Sequence, residues 1–319
     1  MSEYQYYEFQ AIDRSLTEKE MAELRSYSTR ASITPTSFVN HYEWGNFKGD
    51  EDAWMFRYFD AFLYLANWGT HVFKVRLPSQ FLDLADVRPY CSRNSLTARK
   101  SKDQIVLTFT SQDDEGEDWD SGEGILSSLI TIRAELARGD RRALYLGWLL
   151  AVQADELDDD EPEPPAPPGL GQLSASLEAL VEFLRIDPDL LRAAAEPSLT
   201  APQRRTIGEI RRIAERHAAE RRQNAERKAA AEALRKQRQA ARRRAKHLDA
   251  LVGKEKKLWL EVETLVAGKN YVAAVEVLVD LRDLAARSGA GNFETLLQSF
   301  RNRHARKAIL MARISKAGL

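Results

Sequence analysis

Seven cations, Arg235, Lys236, Arg238, Arg242, Arg243, Arg244 and Lys246, fall within twelve consecutive positions with no carboxylate among them. Cations this concentrated suit the binding of phosphate or carboxylate groups, which is blind to base sequence. No Phe, Tyr or Trp occurs between Ile213 and Trp259, so bases have no platform on which to stack. A zipper-type basic region would be followed by a sustained run of large a and d residues, and none follows. The plain alternatives are a solvated charged helix or neutralisation by the chain's own acidic half.

A second candidate is the stretch DDEGEDWDSGEG at residues 113–124. Hard cations take several oxygens at once, so Asp118, Asp120 and Glu123 form a candidate Mg²⁺ or Ca²⁺ site and the seed of a metal-dependent enzyme. The EF-hand order of ligands is absent, which makes a solvated acidic loop the plainer expectation. The five histidines show no ligand spacing; His71 shares parity with Phe73, Val75 and Leu77 and is expected in the core, and His41 beside Glu43 is at most a weak acid–base pair. The single thiol, Cys91, excludes an internal disulfide and a thiolate zinc site. Neither GxxxxGK[ST] nor GxGxxG occurs, which argues against the common nucleotide cradles. No cofactor is expected, and no catalytic residue is assigned.

The elements that must position these groups change character along the chain. Gln5–Ile12, Thr70–Leu77 and Gln104–Thr110 alternate as strands, and Thr17 with Glu20 spells a capping box. Ile33–Trp44 is rich in strand formers, with Pro35 demoting its start to an edge or loop. Residues 51–67 are apolar nearly all round and read as a buried central helix opened by Asp50, Glu51 and Asp52. The expected fold is an α+β module, ferredoxin-like with helices on one face, followed by a mostly helical C-terminal half. DELDDDEPEPPAPPG at 155–169 reads as a solvated spacer, and Asp187-Pro188 as a helix start.

From Glu209 to Val252 there is no Gly or Pro, which predicts one continuous helix about 70 Å long. Its middle is mostly Ala with a lone Leu234, compatible with a solitary helix or a close-packed Ala coiled-coil seam. The expected divisions are 1–154 for the α+β domain ending in two helices, 155–169 for the acidic Pro-rich linker, 170–199 for a short helical segment, 200–252 for the long basic helix and 253–319 for a small helical bundle. Net charge is only -1, yet residues 1–170 hold 17 Lys+Arg against 30 Asp+Glu, and residues 171–319 hold 30 against 18. No apolar run reaches the roughly 18–20 residues of a membrane span, and the polar, aromatic start lacks the order of a signal peptide.

The stretches MSEYQYYEFQAIDRSLTEKE, ALYLGWLLAVQ and PPGLGQLSASLEALVEFLRIDPDLL, with KLWLEVETLVAGKNYVAAVEVLVDL through the terminal ISKAGL, resemble a family of uncharacterised bacterial proteins. The resemblance spans most of the chain. It implies a bacterial cytoplasmic setting, names no activity and carries over no catalytic residue. Together these readings point to a non-enzymatic interaction or scaffold protein whose partner is another protein. A nucleic-acid-binding module using the basic helix and a metal-dependent enzyme using the 113–124 loop are the alternatives, and no membrane partner is expected.

Overall fold

The computed structural model describes residues 3–112, 121–197, 204–288 and 292–319. Its packing divides the chain into two units, Met1–Arg222 and Gln223–Leu319. Among the described residues no helix is long and apolar enough to cross a membrane.

The first unit is built on seven strands: β1 (Gln5–Gln10), β2 (Ser32–Thr34), β3 (Ser37–Tyr42), β4 (Ala61–Ala66), β5 (Thr70–Pro78), β6 (Leu96–Ser101) and β7 (Gln104–Gln112). They lie in the order β2-β3-β1-β4-β5-β7-β6, and every pairing is antiparallel. The βαβ crossover behind the ferredoxin-like expectation therefore has no counterpart among the described strands.

Helices also cover both faces of the sheet rather than one. On one face Tyr7, Phe9, Phe38 and Phe62 pack with Leu24 of α1 (Glu18–Tyr27) and with Trp54 and Met55 of α2 (Glu51–Arg57). On the other, Leu63, Phe73, Val75, Leu107 and Phe109 meet a helical layer. That layer comprises α3 (Leu84–Val87), α4 (Ile125–Leu129), α5 (Thr131–Ala137), α6 (Arg142–Gln153), α7 (Ala175–Phe183) and α8 (Pro188–Ala195).

The expected helix over 51–67 is a helix followed by a strand. Asp50 caps α2 by accepting from the Ala53 amide at 3.0 Å, but the helix ends at Arg57. The carboxylate of Asp60, wholly buried, accepts from the Ile12 and Asp13 amides at 2.6 and 3.0 Å and from Arg76 Nη2 at 2.6 Å. Residues 61–66 then pair with β1 on one side and β5 on the other. A strand covered on both faces is apolar throughout, so its sequence loses the alternation that marks a half-exposed strand. The helix buried on all sides is instead α6, where every residue from Ala143 to Val152 is buried. Gly147 permits this: a Cβ there would meet Leu96 Cδ2 at 2.9 Å.

The acidic Pro-rich segment is not a free spacer. The Glu156 carboxylate accepts from the Asn94 and Ser95 amides at 2.8 and 3.1 Å, and the Pro165 carbonyl accepts from Tyr90 Oη at 2.7 Å. Glu163, only 4% exposed, meets Arg205, 6% exposed, through Nε at 2.9 Å and Nη2 at 2.8 Å, and Tyr145 Oη also donates to it. Prolines lower the entropic cost of holding such an extended segment, because their φ is fixed already.

Helix α9 (Ile207–Leu251) is unbroken. The second unit adds α10 (Glu255–Ala267), α11 (Tyr271–Ser288), α12 (Phe293–Arg303) and α13 (Ala308–Lys316). Its core gathers Leu248, Leu258, Val262, Leu278, Leu281, Phe300 and Leu310. Gly253, at φ 76°, makes the left-handed turn after α9.

Two outcomes are expected. Glu163→Ala leaves a buried guanidinium without its counter-charge and should cost about 3–5 kcal/mol in denaturant unfolding. Adding Arg205→Met should recover only part of that, because the Ala193, Ala194 and Glu196 carbonyls also lose their donor. For Asp60, burial acts to raise the carboxyl pKa, but the Ile12 and Asp13 amides and Arg76 outweigh it and hold it below the usual range. A depressed folded-state pKa gives stability that is full above the unfolded value of about 4 and is lost as pH falls through the lower folded value. The stability gap between the wild type and Asp60→Asn should therefore be constant near neutrality and shrink below about pH 4.

Candidate anion-binding face of the long helix

In the first unit, α9 begins with Ile207 and Ile210 in the core. Three of its polar residues there are matched: Arg211 reaches Asp155 and Asp159 at 2.7 and 2.6 Å, His217 Nε2 lies 2.8 Å from Glu196, and Arg221 Nη2 donates to Asp189 at 2.6 Å. Residues 221–243 are then exposed without a break.

The seven cations singled out by sequence lie in the second unit and divide by helical phase. At 3.6 residues per turn, spacings of three, four and four place Arg235, Arg238, Arg242 and Lys246 on one stripe about 80° wide. Arg243 flanks it. All five are exposed, and none makes an ion pair among the described residues. Lys236 pairs with Glu232 at 2.8 Å in an exposed i,i+4 bridge, an interaction worth about 0.3–0.5 kcal/mol.

Arg244 does not belong with them. It lies about 180° around the helix from Arg235 and faces α11. There its Nη2 donates to Asp283 Oδ2 at 2.6 Å, and its Nη1 donates to Asp280. These carboxylates, Asp283 foremost, hold the guanidinium firmly charged against the opposing pull of burial. His247 Nε2 sits 2.7 Å from the other oxygen of Asp280, which is 8% exposed. Leu248 enters the core beside this cluster. Sequence reasoning missed Asp280, Asp283 and His247 as Arg244's neighbours. The signal was available, since Arg244 stands four and seven residues before Leu248 and Leu251 and so shares their side.

Of the acidic-loop candidate, Glu123 alone lies among the described residues. Asp118 and Asp120 lie outside the described residues. Glu123 is exposed, just ahead of α4, and among the described residues no three His, Cys, Asp or Glu side chains converge as metal ligands. His71 is buried, with Nδ1 2.5 Å from the Phe183 carbonyl and its ring stacked on Phe183 at 4.9 Å. His41 is exposed and stacks on Tyr4. Burial pushes the Cys91 thiol up, away from the thiolate a nucleophile needs.

No protein-family model, curated protein or solved structure matches the chain.

The division of cations has a direct consequence for stability. Arg244→Gln takes one charged partner from Asp280 and Asp283, which keep His247 and Arg282, and should destabilise the second unit by about 1–3 kcal/mol. Arg242→Gln, two positions away, should stay within about 0.5 kcal/mol of wild type in the same thermal unfolding measurement.

Proposed function

We propose that this chain is a non-enzymatic interaction protein of the bacterial cytoplasm that holds a polyanionic partner, foremost an acidic protein surface, against the outer stripe of α9. One observation carries the reading: Arg235, Arg238, Arg242, Arg243 and Lys246 are exposed and make no ion pair among the described residues. Like charges three and four residues apart destabilise a helix by about 0.2–0.5 kcal/mol per pair. Arg238 with Arg242, and Arg242 with Lys246, stand in that relation. A helix that keeps these repulsions gains when an anionic surface relieves them, and the gain supplies both affinity and a faster encounter.

A nucleic-acid backbone is the second reading, favoured by the row itself. Four cations aligned along about 16 Å of helix suit successive phosphates, although the absence of aromatics nearby limits any contact to the backbone.

Polyglutamate and generic duplex DNA, each titrated at about 50 mM salt against the full chain, separate the two. Arg235→Gln, Arg238→Gln and Arg242→Gln combined should weaken binding at least about tenfold without lowering the melting temperature. With DNA, the log–log salt slope should also fall by close to three, at ~0.9 per phosphate contact removed. Failure of both polyanions to bind, or equal binding by the triple variant, would refute the proposal.

A further inference from the structure

Two features of the second unit fit one another. Between α9, α10 and α11 lies a groove of about 540 Å³, lined by half-buried Leu265, Ala273 and Val277. In the same unit Leu234 is 47% exposed, and it is the one large apolar side chain in the exposed stretch 221–243. We infer that the groove receives the Leu234 segment of α9 from a second copy of this chain. The inference rests on the anion-binding reading of α9 and names the acidic surface that the helix meets.

Charge selects the occupant. Glu261 and Glu276 also line the groove, exposed and without an ion pair among the described residues. The basic side chains on its lining are already engaged: Arg244 donates to Asp280 and Asp283, and His247 Nε2 lies 2.7 Å from Asp280. The open charge is therefore negative. An apolar floor with acidic edges suits a helix that carries an apolar ridge beside cations. α9 has that pattern. At 3.6 residues per turn, Ala230 and Ala241 fall within about 40° of Leu234 on one side. Arg227 and Arg238 fall within about 40° on the other, with Arg242 at about 80°.

The contact has to be intermolecular. α9 is unbroken, so Leu234 stays about 15 Å along the helix from Arg244 and cannot turn into its own groove. Each copy thus offers one ridge and one groove at different places, a head-to-tail arrangement rather than a self-complementary patch. The charges that meet are exposed ones, so salt weakens the association.

Sedimentation velocity on the full chain tests this. In about 50 mM salt the mean mass should rise above that of the monomer as concentration approaches about 200 μM, and it should fall back in about 500 mM salt. Leu234→Asp breaks the ridge and leaves the groove. Glu261→Lys with Glu276→Lys breaks the groove and leaves the ridge. Each variant alone should associate at least about tenfold more weakly than wild type. Mixed, the two should form a one-to-one dimer and nothing larger, because one intact ridge meets one intact groove. That recovery also shows that both variants are folded. A wild type that stays monomeric, association that survives either variant, or a mixture that stays monomeric would overturn the docking. Polyglutamate separates the two readings. If the wild type binds it yet never self-associates, the docking fails and the anion-binding role of α9 stands. If the wild type binds neither polyanion nor itself, both fail.

Discussion

A guanidinium taken out of water must have its donors satisfied, and Arg205 is where this constraint organises the first unit. Its Nε and Nη2 meet the two oxygens of Glu163, and the remaining N–H groups reach the carbonyls of Ala193, Ala194 and Glu196. One side chain thereby joins the acidic Pro-rich segment, the end of α8 and the approach to α9. Tyr145, from the most buried helix of the unit, adds its hydroxyl to Glu163, so the network is anchored in the core. The backbone follows the same junction: the Glu163 amide donates to the Arg205 carbonyl at 2.8 Å and the Ile207 amide to the Glu161 carbonyl at 3.1 Å. A run of carboxylates and prolines that could have remained solvated is ordered because one of its acids is needed inside.

The same rule sorts the cations of α9. Where the helix borders a packed surface, carboxylates answer three of its long cations: Asp155 and Asp159 for Arg211, Asp189 for Arg221, Asp280 and Asp283 for Arg244. Arg235, Arg238, Arg242, Arg243 and Lys246 are exposed and have no such counterpart among the described residues. Structural and available charge are thus interleaved on one helix at intervals of one or two residues. Charge density along the sequence does not separate them, whereas helical phase does.

Much of the architecture was legible where a single local rule decided it. The Thr17–Glu20 capping box, the Asp187-Pro188 start of α8 and the strand over Thr70–Pro78 follow from side chains acting on neighbouring backbone or from plain alternation. Legibility failed where tertiary burial removed the local signal. β4 lost its alternation because both its faces are covered, so it merged with α2 into one apolar run. β6, an edge strand with Arg99 and Lys100 exposed, carried too little apolar residue to register. Glu163 looked like one of seven solvated acids, since the partner that buries it lies 42 residues further on. In the candidate site the cations were visible as a cluster, but the removal of Arg244 from it depended on Asp280 and Asp283, carboxylates of another helix.

The division of Arg205 and the arginines of α9 that follow it into paired and available sets is most directly measured on the side chains themselves, by ¹⁵N NMR of the Arg Nε–H groups in the full chain. Arg205 and Arg244 should show Nε–H groups that exchange slowly with solvent, and Arg235, Arg238, Arg242 and Arg243 should exchange fast. Added polyglutamate should slow and shift the second set while leaving the first in place. Protection of the second set in the free protein, or a response to polyglutamate confined to Arg205 and Arg244, would contradict the division and the binding role drawn from it.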